Sequence, residues 1–220
     1  MGLISEVRKI DGYDNFYTGL ILECLLYRMG HTKPFMDMER GTGSEPKFKT
    51  KTSVGAEPAL MELFVDSLRD IYWAENHLVK SLPKMIASSS SQKLGSAIEN
   101  HLKQTVEHVN RLLVIFDLLG IEAIAKKCDA MEGLTKEGEG ILESTHEGTA
   151  TRDVGIILAS QKVEHYEIAT YGGLVQLAAT LGLTEVADIL SQTLEEEKQA
   201  DHLLTEVAEN EINYKASEEV

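Results

Sequence analysis

The chain has 220 residues, of which 43% are hydrophobic, and a formal net charge of −15 from 36 acidic and 21 basic side chains. This length supports one sizeable core without a disulfide scaffold. The acidic excess argues against a nucleic-acid-binding surface, because such a surface would repel phosphates, and it makes small cations the expected partners. Composition alone also fits a simpler interpretation, in which the excess acid keeps the protein soluble.

The sequence indicates a soluble, unexported protein, which we expect in the cytoplasm. No stretch reaches the roughly 18 to 20 apolar residues of a membrane-spanning helix. The nearest candidate, residues 18–27, is interrupted by Glu23 and follows acidic residues, where a signal peptide would be basic. The two cysteines, Cys24 and Cys128, lack the spacing of a zinc site or of a disulfide framework.

Residues 1–53 differ in composition from the rest and are predicted to form an N-terminal extension that is loosely packed or disordered. After one apolar patch at 20–29, this segment is rich in Gly, Lys and Thr, as linkers are. We predict one helical domain at 54–214 and a short tail at 215–220.

Long helical periodicity begins after this extension. The first predicted helix carries apolar residues at steps of three and four and is bent or ended by Pro83. A serine cluster at 88–91 predicts a turn and an N-cap. The second predicted helix spans about 92–119, and its apolar stripe includes two histidines, His101 and His108.

The second half of the chain predicts two more long helices, at about 153–181 and 184–210. A connection of roughly 30 residues, with a short amphipathic helix at about 129–142, precedes them and is long enough to cross a bundle. The links between the first and second and between the third and fourth helices are short. No strand pattern occurs after residue 53. The sequence therefore predicts an all-α, antiparallel four-helix bundle with a long crossover.

Acidic residues lie on the apolar stripes of three of these helices. Glu75 is on the first, Glu164 and Glu167 are one turn apart on the third, and Glu197 and Asp201 are one turn apart on the fourth. A charge in a bundle core is costly unless something such as a bound metal compensates it.

Together these side chains predict a metal site. Iron and manganese favour carboxylate oxygens, often joined by imidazole nitrogens, and two such ions need several carboxylates from different helices. The five acids supply the oxygens, and His101 and His108 on the second stripe can add imidazole.

Each of these residues also has an ordinary interpretation. A single acid on a helix is usually solvated, and a single histidine on an apolar face is usually a hydrogen-bonded core residue. Glu167, Glu197 or Asp201 could lie at the edge of a stripe and pair with a lysine. Their joint occurrence on at least three helices favours a site. A Glu-x-x-His spacing at Glu143 and His146 falls in the connection, so we do not predict that it binds metal.

Five segments make the chain resemble the YciE/YciF family of ferritin-like stress proteins over roughly residues 57–214. They are DIYWAE at 70–75, HLKQT at 101–105, KCDAMEG at 127–133, QKVEHYEIA at 161–169, and EEEK at 195–198 followed by Asp201.

The resemblance implies a ferritin-like bundle, paired as a homodimer, with a dinuclear iron or manganese centre and a ferroxidase or peroxide-detoxifying role in stress. The ligand roles would fall to the five acids named above, with His101 or His108 completing the set. The general ferritin-like scheme has Glu-x-x-His on two helices, and this chain departs from it. Relatives often carry an acid where this chain has Gln104. Thr105 and His108 have the spacing of a Glu-x-x-His motif, with threonine in place of the glutamate.

Two other functions remain open at this point. The first is a non-catalytic structural or interaction protein, in which the buried acids form hydrogen-bonded networks with Tyr, His and Lys. The second is a manganese catalase-like activity that dismutates peroxide without an external reductant. The sequence does not distinguish these chemistries, the physiological metal or the electron donor.

Overall fold

The computed structural model describes residues 58–220, and the predicted N-terminal extension lies outside this part of the chain. All regular secondary structure in the described part is helical, without strands. Its elements are α1 (Pro58–Ser88), α2 (Gln92–Leu118), α3 (Asp129–Ser144), α4 (Ala150–Thr180), α5 (Thr184–Val207), a π-helical turn (Ala208–Ile212) and α6 (Asn213–Ser217). The predicted all-α fold, with four long helices and a short helix in the long connection, is confirmed. None of the described helices is long and apolar enough to cross a bilayer.

The four long helices form a bundle in which each packs on two neighbours. Helix α1 contacts α2 and α4, and α5 contacts the same two helices, so α2 and α4 face each other across the diagonal. Because the chain passes from α2 to α4 through α3, these two helices begin at the same end of the bundle. Aliphatic and aromatic side chains such as Phe64, Leu112 and Leu174 form the core along its length.

Helix α1 does not end at Pro83, in contrast to one of the two predicted outcomes, and continues to Ser88. Proline removes one backbone hydrogen bond in a helix interior. Tertiary packing offsets this loss, because Leu82 and Met85 on either side of the proline are buried. Met85 lies so close to α3 that a side chain at Gly138 would meet its Cε at 2.9 Å.

Helix α4 begins three residues earlier than predicted, at Ala150. Thr149 caps it by accepting a hydrogen bond from the Arg152 backbone nitrogen at 3.2 Å. The carboxylate of Glu219 accepts further hydrogen bonds from the backbone nitrogens of Ala150 and Thr151. The end of the chain, predicted as a tail, therefore contacts the first turn of this helix.

The buried carboxylate of Asp153 joins the first turn of α4 to the start of α2. It accepts hydrogen bonds from the Ser90 backbone nitrogen at 2.8 Å, the Ser90 hydroxyl at 2.6 Å and the Ser91 backbone nitrogen at 2.9 Å. The predicted serine turn is thus fixed to α4 by three donors. This junction sets the relative height of the two diagonal helices.

We expect Asp153→Ala to lower the free energy of unfolding by about 1.5 to 3 kcal/mol, the range for hydrogen bonds to a charged group. Asp129→Ala is the matched control, because Asp129 is an exposed acid in the first turn of α3 and should contribute only about 0.3 to 1 kcal/mol. Urea unfolding measures both. Equal losses in the two variants would show that the Asp153 junction has no special role.

Candidate metal centre

Four carboxylate and two imidazole side chains lie inside the bundle at mid-height, contributed by all four long helices. None is more than 6% exposed. They are Glu75 of α1, His101 and His108 of α2, Glu164 and Glu167 of α4, and Glu197 of α5. Apolar side chains lie on both sides of this cluster of six residues along the bundle axis.

One group of possible ligands consists of His101, Glu164, Glu167 and Glu197. One nitrogen or oxygen atom from each residue lies within 4.8 Å of those of the other three. His101 Nε2 is 3.3 Å from Glu164 Oε1, and His101 Nδ1 is 3.9 Å from Glu197 Oε2. Three carboxylates and an imidazole converge here from three helices.

The second group consists of Glu75, His108 and Glu197, whose ligand atoms also lie within 4.8 Å of one another. His108 Nδ1 is 2.9 Å from Glu197 Oε1 and 3.5 Å from Glu75 Oε1. Glu197 therefore belongs to both groups, with Oε1 beside His108 and Oε2 on the side of His101.

Most donor and acceptor atoms of these residues lack hydrogen-bond partners. In the described part of the chain, ten buried side-chain nitrogen or oxygen atoms have none, and nine of the ten belong to the six residues of the cluster. His108 Nδ1 is among the nine, although Glu197 Oε1 lies 2.9 Å away as an ion-pair partner. Native proteins rarely leave buried polar atoms unpaired, and then usually for a reason such as a missing ion.

Burial raises the pKa of Glu75, and it raises those of Glu164 and Glu167 well above the usual value. Neighbouring carboxylates, Glu197 above all, add to the shift in Glu164 and Glu167. Burial opposes ionisation of Glu197 too, but His108 and His101 hold the pKa of its carboxyl below the usual value. Without metal, protons thus compensate part of the buried negative charge.

The two histidines shift in opposite directions. Burial lowers the pKa of His101. Burial would also lower the pKa of His108, but the charge of Glu75 and the adjacent Glu197 raise it to about 11. A neutral His101 offers a nitrogen lone pair for coordination, whereas His108 must give up a proton to bind metal through Nδ1.

Side chains outside the cluster hold its ligands in place. Glu196 accepts from Arg111 through both carboxylate oxygens, at 2.7 and 2.8 Å, and its Oε2 lies 2.9 Å from His108 Nε2. Burial opposes this charge, but the Arg111 hydrogen bonds and His108 lower the pKa of Glu196 to about 2. An ionised Glu196 keeps the proton of His108 on Nε2 and turns Nδ1 toward the centre, a common arrangement at metal-binding histidines.

The hydroxyl of Tyr171, itself buried, donates a hydrogen bond to Glu75 Oε1. This leaves Oε2 of Glu75 without a partner. Sequence reasoning did not identify Arg111 or Glu196. The only signal was positional, since Glu196 precedes Glu197 in the chain and Arg111 follows His108 by one helical turn.

The structure places six of the seven predicted ligands together and leaves Asp201 outside both groups. The Asp201 side chain is 23% exposed and lies 3.3 Å from His165 Nε2, and its Oδ1 accepts from Gln161 at 3.3 Å. It is near enough to raise the pKa of Glu164 further. Asp201 therefore acts at the edge of the centre, with partners of its own.

The four carboxylates and two imidazoles match in composition the four-glutamate, two-histidine set of ferritin-like proteins. Here both histidines come from α2, seven residues apart, instead of from Glu-x-x-His pairs. Thr105, which occupies one such position, donates its hydroxyl to the His101 carbonyl at 2.9 Å. Glu143 and His146 are both exposed and lie away from the cluster.

Comparison with known proteins places the whole bundle in one family. The family "Domain of unknown function (DUF892)" matches residues 59–217. Protein YciF of Escherichia coli K12 is 42% identical over 156 residues, which cover 70% of this chain and 93% of YciF.

Solved structures show the same relationship. The E. coli stress protein YciF superposes with a TM-score of 0.68 at 39% identity, covering 72% of this chain and all of YciF. YcfI from Rhodopseudomonas palustris, for which a structural role is suggested, has a TM-score of 0.65 at 36% identity and covers 66% of this chain and 92% of its own.

The raised pKa values of Glu164 and Glu167 predict how the metal-free protein depends on pH. Burial keeps both carboxyls protonated in the folded state at pH values above 4.5, their ordinary pKa, whereas in the unfolded chain they ionise near that pH. The free energy of unfolding therefore decreases as pH rises from there through the folded pKa values. The urea midpoint of the metal-free protein should therefore fall between pH 5 and pH 8.

The urea midpoint of the double variant Glu164→Gln, Glu167→Gln should fall less between pH 5 and pH 8. At pH 8 it should be higher than that of the wild type. Glu143→Gln, Glu147→Gln is the control with the same change in charge, because both residues are exposed. Parallel pH profiles for the wild type and the Glu164, Glu167 variant would contradict the assigned shifts.

Proposed function

This chain belongs to the DUF892 family of YciF-like proteins, and we propose that its bundle binds two iron or manganese ions and reacts them with oxygen or peroxide as a stress-protective oxidoreductase. The observation that carries the proposal is the set of nine buried, unpartnered ligand atoms on six side chains. Nine buried polar atoms without hydrogen-bond partners are costly inside an apolar core, and bound cations would offset this cost.

Each side chain then has a role at the centre. His101, Glu164 and Glu167 would hold one ion, Glu75 and His108 the other, and Glu197 would bridge them. The bound ions would supply one-electron steps toward oxygen or peroxide. The protein orients the ligands through Tyr171, Glu196 and Arg111, and its apolar layers limit the access of water.

The non-catalytic alternative is a structural protein whose acids form a hydrogen-bonded network. The suggested structural role of YcfI is compatible with it. The network that this alternative needs would satisfy the buried acids, yet Glu167 has no hydrogen-bond partner on either carboxylate oxygen. Catalase-like dismutation is the other alternative, and oxygen release from peroxide without reductant would identify it.

We also propose a cytoplasmic location and a homodimer. The buried thiol of Cys128 is free, which suits a reducing compartment. The dimer rests on the family resemblance and stays a prediction.

Metal binding gives the first test of the proposal. After reloading with Fe(II) or Mn(II), the protein should hold two equivalents of metal. At a free metal concentration of one hundred times the Kd, its free energy of unfolding should rise by about 2.7 kcal/mol, because only the native state offers the site. Metal analysis and thermal melting measure both. A melting temperature indifferent to either ion would favour the structural alternative.

The ligand assignment is tested by Glu164→Ala, Glu197→Ala, which should abolish metal binding and Fe(II) oxidation. Glu143→Ala, Glu147→Ala makes the same chemical change at two exposed positions and should leave both unaltered. If the first variant retained its metal and its oxidation rate, the ions would bind elsewhere.

The orienting role of Glu196 predicts that Glu196→Gln weakens metal affinity by about 10- to 100-fold, as losses of such outer partners do. The neighbouring Glu195→Gln is the control, since Glu195 is exposed and pairs with Lys198. Competition with a chromogenic chelator gives the affinities. Equal affinities in the two variants would exclude a role for Glu196 at the centre.

A further inference from the structure

A cavity of about 330 Å³ connects the surface of the bundle with the metal centre. Its inner end is formed by two ligands, His101 and Glu164. Its outer rim is formed by Asn100, Gln199 and Leu203, all of which are exposed. The cavity lies between α2, α4 and α5, and Leu82 of α1 also lines it.

The walls between rim and centre are mainly apolar. They are formed by Leu82, Ala97, Ile98, Ala200 and Leu204. His101 and Glu164 are the only ionisable side chains among the residues that line the cavity in the described part of the chain. Along this path the described residues place no acid before Glu164, and the apolar lining suits a neutral molecule.

The volume is far larger than the metal chemistry alone requires. Oxygen and hydrogen peroxide need little more room than one water, whose share of the liquid is ~30 Å³. Pockets that bind organic ligands begin at about 300 Å³. The cavity therefore has room for an organic molecule with an apolar body.

Polar groups are concentrated where such a molecule would present a reactive end. Both ring nitrogens of His101 are buried and have no hydrogen-bond partner, and the same holds for Glu164 Oε2. Gln104 and Ser160 also line the cavity and offer neutral donors and acceptors. A ligand with an oxygen function at one end and a hydrocarbon body matches this distribution.

We propose that the cavity binds a small neutral organic hydroperoxide, with its hydrocarbon body against the apolar walls and its peroxide group toward His101 and Glu164. This inference rests on the proposed function. In the reaction the O–O bond breaks as it takes up two electrons, one from each of two bound divalent ions. With two protons the products are an alcohol, which leaves through the cavity, and water.

The first experiment uses the metal-free full-length protein and cumyl alcohol, the alcohol that forms when cumene hydroperoxide is reduced. Methyl NMR should show saturable binding, with shifts at Ala97, Ile98 and Leu204. Leu203→Trp should weaken binding by about tenfold or more, since the indole fills the mouth and removes apolar contacts. Leu158→Trp is the matched control, because Leu158 is 54% exposed and does not line the cavity.

The second experiment uses the Fe(II)-loaded protein in single turnover. Leu203→Trp should slow oxidation by cumene hydroperoxide by about tenfold and oxidation by hydrogen peroxide by less than about twofold, because only the larger substrate needs the cavity. Leu158→Trp should change neither rate. Equal effects of Leu203→Trp on the two peroxides, or none, would overturn the proposal.

The two experiments separate this inference from the proposed function. Failure of cumyl alcohol to bind the metal-free protein overturns the inference and leaves the metal centre intact. Failure of the protein to bind Fe(II) or Mn(II) overturns the proposed function, and the hydroperoxide assignment with it, even if cumyl alcohol still binds.

Discussion

The bundle is organised around the burial of four carboxylates and two imidazoles in an apolar core. Each buried ionised group costs several kcal/mol unless charges or hydrogen bonds compensate it. The protein itself supplies little compensation, since Glu197 and His108 form the one close pair in the cluster in which both pKa shifts favour the charged form. Protons on Glu164 and Glu167 reduce the charge in the metal-free state. Two divalent cations would replace those protons and satisfy the open lone pairs at the same time.

To bring these six side chains together, the four helices must keep fixed positions relative to one another along the bundle axis. Glu197 takes part in both ligand groups only because α5 lies between α2 and α4, and Glu75 reaches His108 only because α1 packs on α2. The Asp153 junction sets the ends of α2 and α4. The Arg111–Glu196 pair joins α2 to α5 beside the centre. The polar contacts thus fix a register that apolar packing alone would specify less strictly.

Much of the fold and most of the centre follow from helical periodicity. Steps of three and four place Glu75, Glu164, Glu167 and Glu197 on apolar stripes, and two histidines seven residues apart necessarily share one face. Asp201 shows the limit of this reasoning. It is four residues after Glu197, but the buried stripe of α5 continues through Ala200 and Leu204, so Asp201 lies at its edge. The orientation of a helix face inferred from sequence is uncertain by tens of degrees. An error of that size decides whether Asp201 lies within the buried stripe or at its edge.

Contacts between helices could not be read from the sequence at all. Nothing in the chain shows that Arg111 meets Glu196, because their meeting depends on the relative height of α2 and α5. The cavity beside His101 has the same origin, since it is formed by residues from four helices. Pro83 was similarly ambiguous, because its local cost is offset by the packing of Leu82 and Met85.

Anomalous diffraction from crystals of the full-length protein loaded with Mn(II) tests the central claim most directly. The account predicts two peaks inside the bundle, one among His101, Glu164, Glu167 and Glu197 and the other among Glu75, His108 and Glu197. Both peaks should be within coordination distance of Glu197. Saturating Mn(II) that produced peaks only at surface acids, with none inside the bundle, would contradict it.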